Sequence, residues 1–344
     1  MLANTTPSSR YEPNRIRRAA AKTAQLLTVA LLLCGLTGNG NANAQQLQVT
    51  LNSTPTHVEV QINDQPFTVY RFQGYPRPIL FPVFGPGQIP MTRSYPMADA
   101  PGEARDHPHH KSIWFAHGAV NGVDFWGEKG TIESTSVTID ESKSQITATN
   151  QYRANNQTVC TDTTLLRFGA TESTRWIDYD VTMTASEGEV LLGDTKEGTF
   201  AIRTHPDLQL SANPEGGVPE VFGHALNSEG ERDKAIWGKR AKWVYYYGPV
   251  DGTDVGILFM DHPQNLRHPT TWHARDYGLI AANPFGLHDF LGEPEKSGNV
   301  VIKNGDSLRL VYRLFFLNGT AESEDCERLF QAFATAPLAE PKRK

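Results

Sequence analysis

Beyond residue 44 the chain alternates apolar and polar residues with period two, interrupted by turn-forming residues, as strands that bury one face do. Val58, Val60 and Ile62 alternate with Glu59 and Gln61. Val137 and Ile139, then Ile146 and Ala148, flank polar residues 140–144 and predict a hairpin. Residues 243–247 and 255–260 flank Asp251-Gly252-Thr253-Asp254, and 300–302 and 308–316 flank Lys303-Asn304-Gly305-Asp306. Asn-Gly favours a type I′ turn, whose central residues both need positive φ, so antiparallel connections are expected.

One helix is predicted over 321–334, with Thr320 or Ser323 as cap, acidic residues in its first turn, Leu329, Phe330 and Phe333 on one face, and Pro337 to end it. No repeat, linker or glycine-rich phosphate loop interrupts the rest. These elements predict an all-β fold, a large antiparallel β-sandwich of two broad sheets with a C-terminal helix, as a single domain over 45–344. A division into two subdomains near residue 190 is the alternative.

The first 44 residues stand apart. Arg15, Arg17, Arg18 and Lys22 precede an apolar stretch at 24–36 and the small-residue pattern Ala42-Asn43-Ala44, which reads as a signal peptide cleaved near Ala44 and predicts a periplasmic or secreted protein. A membrane anchor, the other reading, needs roughly 20 apolar residues, more than this stretch supplies. The remainder keeps 27 of the 32 Lys/Arg and 37 of the 38 Asp/Glu, a net charge of −10. With no basic block except Lys342-Arg343-Lys344, no nucleic-acid partner is expected, and none in the membrane once the signal is removed. The composition, 39% hydrophobic and 10% aromatic, is that of a globular chain and excludes disorder. Cys160 and Cys326 could pair in an oxidising compartment; whether they meet is open.

Candidate chemistry gathers in three segments. Asp106-His107-Pro108-His109-His110-Lys111-Ser112 holds three histidines in four residues, followed by Trp114, His117 and Phe125-Trp126-Gly127-Glu128. In an extended segment His107 and His109 would share a side, but Pro108 favours a loop or edge at the mouth of the sandwich. Polar binding with acid–base work, a metal site, and structural histidines all remain open. The second segment is 194–203, with Lys196, Glu197 and Arg203; in a strand Lys196 and Glu197 point oppositely, so only one would reach a cleft unless a bulge intervenes. The third runs from Asp261-His262-Pro263 through Arg267 and His268 to Trp272-His273-Ala274-Arg275-Asp276-Tyr277, then Asn283-Pro284-Phe285-Gly286. Asp261 and His262 should emerge at a sheet's end. Trp272, Tyr277 and Phe285 would offer flat faces to sugar rings among Arg, His and Asn donors. No Gly-x-Ser-x-Gly elbow, Cys-x-x-Cys, His-Glu-x-x-His or dinucleotide fingerprint occurs, so those enzyme classes drop out.

In these segments, with Gly85-Pro86-Gly87, Thr92-Arg93-Ser94-Tyr95-Pro96, Trp114-Phe115-Ala116-His117-Gly118, Asn121 and Asp124-Phe125-Trp126, the chain resembles a family of secreted bacterial proteins labelled "methane oxygenase PmoA", also known as a domain of unknown function. Methane chemistry does not follow. A particulate methane monooxygenase subunit is an integral membrane protein, and past residue 44 this chain has no apolar run able to cross a bilayer. The resemblance implies a β-rich fold similar to the large galactose-mutarotase-like sandwiches found among sugar epimerases, lyases and glycoside-processing enzymes.

The sequence therefore predicts a periplasmic carbohydrate-active enzyme, a hydrolase, lyase or epimerase acting on a sugar or modified sugar. His107 or His109 and His262 would supply acid and base, with Glu197 as carboxylate partner. Arg93, Arg203, Arg267 and Arg275 would hold hydroxyls or a carboxylate. Asp106, His110, Trp126 and Lys196 complete the expected binding set with His273, Tyr277 and Asn283. No cofactor is required. A divalent metal held by His107, His109 and a further carboxylate or His is one alternative; a non-catalytic carbohydrate-binding protein is the other.

Overall fold

The computed structural model describes residues 46–100 and 103–338, so the predicted signal peptide and its cleavage site lie outside the described residues. The first sheet runs in the order β1 (Val49–Ser53), β2 (His57–Ile62), β3 (Gln65–Arg71), β4 (Ile79–Val83), β5 (Ile113–His117), β11 (Gly198–Arg203), β16 (Leu279–Asn283), β15 (Thr271–Ala274). The second runs β12 (His224–Asn227), β13 (Trp243–Val250), β14 (Thr253–Asp261), β18 (Ser307–Asn318), β9 (Thr174–Thr184), β8 (Gln157–Ala170), β7 (Gln145–Ala154), β6 (Thr131–Asp140). A small third sheet pairs β10 (Val190–Leu192) with β17 (Val300–Ile302). The pairing is antiparallel throughout, as period-two patterning and short turns require. Each large sheet takes strands from both sides of residue 190.

Alternation decides what each strand buries. On β13, Val244 and Tyr246 face the first sheet, while Trp243 and Tyr245 face the other way, onto helix α2 (Ser323–Thr335). Ile257 and Phe259 of β14 divide in the same way from Leu258 and Met260. Between the sheets Phe200 meets Tyr179, Phe259 and Tyr312, with ring centroids at 4.3, 5.1 and 5.2 Å. Cys160 lies in this inner core and Cys326 on the buried face of α2; both are free thiols.

Three expectations fail. Residues 300–302 do not form a hairpin with β18: they pair with β10, while β18 lies between β14 and β9. Only Gly305 of the Asn-Gly pair has positive φ, so no type I′ turn forms, and the Gly305 N–H donates to the Ala185 carbonyl at the end of β9 instead. Helix α2 is capped by neither Thr320 nor Ser323. Glu322 caps it through a reciprocal box with Asp325, a carboxylate doing the work of the usual hydroxyl. Helix α1 (Leu287–Leu291) was not predicted, because five residues are too few to show a helical period.

Candidate functional site

Residues paired across antiparallel strands share a face, so Trp114, Ala201, Ala281 and His273 form one row over β5, β11, β16 and β15. Their neighbours Phe115 and Phe200 point the other way, onto Tyr179 of the second sheet. The row therefore lies on the outer face of the first sheet. Loops rise over it and enclose a cleft of about 400 Å³. The β4–β5 loop contributes His107, His109 and His110; the β5–β6 loop contributes Asp124, Trp126 and Gly127. Lys196 and Glu197 come from the loop before β11, and His273, Arg275 and Tyr277 from β15 and its turn.

The histidine loop is held from below by three arginines, each 2% exposed or less. Arg77 donates to the carbonyls of Phe125 (3.1 Å), Trp126 (3.0 Å) and His109, which joins the first two loops. Arg93 donates to the carbonyl of His107 (3.0 Å) and to the Asp106 carboxylate. Arg203 reaches both oxygens of Asp106 at 3.2 Å and faces His110 Nδ1 at 3.3 Å. Burial alone would raise the Asp106 carboxyl, but the His107 hydrogen bond and the charges of Arg203 and Arg93 hold it far below the usual carboxylate range. Asp106 in turn accepts from His107 Nδ1 at 2.7 Å, fixing that ring's tautomer.

The reactive groups stand above this base. Burial, then the charges of Arg77 and His107, push His109 down to about 4, so its imidazole is neutral at pH 7. Burial and Arg275 do the same to His273, also to about 4. His110 is driven well below its ordinary value by burial and Arg203. Glu197 moves upward: burial raises it, Asp124 adds to that, and the Lys196 ammonium at 3.9 Å only partly offsets both. Neutral imidazoles thus share the cleft with a carboxyl that ionises less readily than usual, so candidate proton acceptors and a candidate proton donor line one space.

The first two segments converge as expected, and the third divides. His107 and His109 sit on a loop, His107 at φ 42°, and both reach the cleft. Lys196 and Glu197 both line it because their segment is a loop rather than a strand. His273, Arg275 and Tyr277 join them. The ring of Tyr277 is engaged by protein, stacked on His107 at 5.0 Å with Arg203 over it at 4.5 Å, rather than left as a platform. Trp272 and Phe285 are fully buried in the core. His262 does not reach the cleft. It directly follows β14, 1% exposed, with its ring edge-on to Phe333 of α2 at 5.0 Å. Arg267 donates to the carbonyls of Pro284 (2.7 Å) and Gly298 (2.8 Å). Asn283, wholly buried, donates to the Thr195 carbonyl (2.9 Å) and accepts from Phe285 N (2.9 Å), so it shapes the loop carrying Lys196 and touches no ligand space.

Among the described residues no three His, Cys, Asp or Glu side chains stand together as a metal-ligand set. His107 has Nδ1 committed to Asp106, and its ring is 5.8 Å from that of His109, so the expected His107–His109 pair lacks the third donor a site would need. Asp124 and Arg77 were not foreseen as site residues. The Asp-x-x-Gly spacing of Asp124 and Gly127 was the available signal: Oδ1 accepts from Gly127 N at 2.7 Å.

The profile of a family of unknown function, DUF6807, matches residues 57–331. No curated protein matches the chain. Similar solved structures include a polysaccharide lyase (13% identity, 83% of this chain and 34% of that one, TM-score 0.33). A galactose mutarotase-like protein from Clostridium acetobutylicum is 9% identical over 79% of this chain and 99% of its own, with a TM-score of 0.38. A β-arabinopyranosidase is 10% identical over 79% and 38%, with a TM-score of 0.31. The chain spans about a third of the lyase's length. These are distant likenesses, and the chemistry of the cleft rests on its residues alone.

Proposed function

The chain belongs to DUF6807, a family of unknown function, and from that premise we propose that it is a carbohydrate-active enzyme that moves protons on a sugar or modified sugar held in this cleft. One observation carries the reading: a carboxyl held above its ordinary range and two imidazoles held neutral line the same 400 Å³ space, with Lys196 and Arg275 beside them. Glu197 serves as the acid that yields a proton to a leaving or ring oxygen, and His109 or His273 as the acceptor, in a hydrolase, lyase or epimerase reaction. His273 takes the part first given to His262. Secretion through the leader at 1–44 belongs to the same proposal. Among the described residues no helix is long and apolar enough to cross a membrane, and the reading takes nothing from the methane label.

The test is incubation of the purified protein with oligosaccharides, keto-sugars and glycosides, followed by mass spectrometry of the products. Product formed by the native chain and lost in Glu197→Gln supports the reading. Saturable sugar binding with no product from any of them removes its catalytic part, and neither binding nor product removes it whole.

A further inference from the structure

We infer that the cleft continues past Arg275 into a second sugar subsite, and that Arg275 holds an acidic substituent at the junction, so that the substrate is an acidic oligosaccharide. This rests on the carbohydrate reading above and names its substrate class.

A second pocket, of about 210 Å³, is lined by Lys234, Trp237, Ala274, Arg275 and Asp276. Arg275 lines both pockets. Ligand sites usually occupy about 300–1,000 Å³, so the smaller pocket suits an extension of the first better than a site of its own. Trp237 packs edge-on against Phe290 at 5.6 Å, and its buried indole N–H has no partner among the described residues. An indole is a suitable flat face for a sugar ring.

The arginines around the cleft fall into two kinds. Arg77, Arg93, Arg203 and Arg267 all donate to protein carbonyls, carboxylates or ring nitrogens. Among the described residues no acceptor lies within hydrogen-bond distance of the Arg275 guanidinium, which sits 5.4 Å from the Tyr277 ring centroid and exerts its charge on neighbouring Asp276. Lys234 is already paired with Asp276 at 3.3 Å. A partly buried guanidinium without an acceptor is best satisfied by a carboxylate, which takes two parallel hydrogen bonds from its fork. A uronate unit at the junction supplies that carboxylate while the next unit lies against Trp237.

Calorimetric titration tests this, using galacturonate, glucuronate, their dimers, and the corresponding neutral mono- and disaccharides. Each uronate dimer able to bind is expected to bind at least tenfold tighter than its monomer. Trp237→Ala brings that ratio close to one, whereas Trp237→Phe keeps most of it and covers the case in which the Ala variant misfolds. Arg275→Gln abolishes the preference for uronate over neutral sugar. Equal binding of monomers and dimers, or a ratio that survives Trp237→Ala, overturns the second subsite. Neutral dimers binding as well as uronate dimers overturns the acidic assignment while leaving the carbohydrate reading intact. Binding of none of these sugars overturns this inference, while the carbohydrate reading stands or falls on the product assay above.

Discussion

His273 Nδ1 donates to the backbone carbonyl of Lys196 at 3.0 Å, tying the edge strand β15 to the loop that carries Glu197. A carbonyl oxygen can only accept, so the proton sits on Nδ1 and the lone pair of the neutral ring lies on Nε2. Two sequence-distant segments of the cleft are thereby locked in relation to each other, with one ring left as a proton acceptor.

His109 and His273 should remain neutral from pH 8 down to pH 5.5, titrating only near 4. Nitrogen-15 spectra of the imidazoles check this directly. The sign for stability follows: the unfolded chain takes up these protons near pH 6.5 and the folded chain only near 4, so their contribution is complete above about 6.5 and is lost as pH falls between those values. A melting temperature that stays flat from pH 7 to 4.5 would contradict it.

Glu197→Gln should lower turnover by about 10²–10⁴, the usual range for removing a general acid or base. The limb of the pH–rate profile that Glu197 controls should lie above the ordinary carboxylate range and vanish in the variant. Because its carboxyl is raised in the folded state, ionisation at neutral pH works against folding. The variant should therefore melt no lower than the native chain at pH 7, and a clear drop in a thermal scan would count against the assignment.

Asp106→Asn leaves the buried guanidinia of Arg93 and Arg203 without their carboxylate. A loss of about 2–3 kcal/mol is expected in urea unfolding, less than for a wholly buried pair because Asp106 is partly open to water. An unchanged midpoint would mean that the charges are balanced elsewhere.

The strands were legible because period two is a local property, and the β6–β7 and β13–β14 hairpins appear where the turn residues place them. The pairing of residues 300–302 with β10 was not, since nothing local at Val300 shows that Leu192 is its partner. The same limit governed the site. His107, His109 and Glu197 were found through crowding and charge, but His262 carries the same chemistry and differs only in which sheet face its strand end occupies. Arg77, an isolated arginine in sequence, acquires its place only when the loops carrying His109 and Trp126 close over it.

His262→Ala separates the two readings of the third segment. With the ring buried against Phe333, the substitution should cost about 1–3 kcal/mol through lost packing while turnover per folded molecule stays within twofold of native. Abolished turnover in a folded variant would return His262 to the catalytic set.

The bond from His273 goes to the main chain at position 196, not to its side chain. Any amino acid at that position can therefore supply the same anchor. Together with Arg275, whose guanidinium holds up no loop, this makes the rim of the cleft an exchangeable part: selectivity could be re-aimed by swapping two side chains while the platform beneath stays as it is.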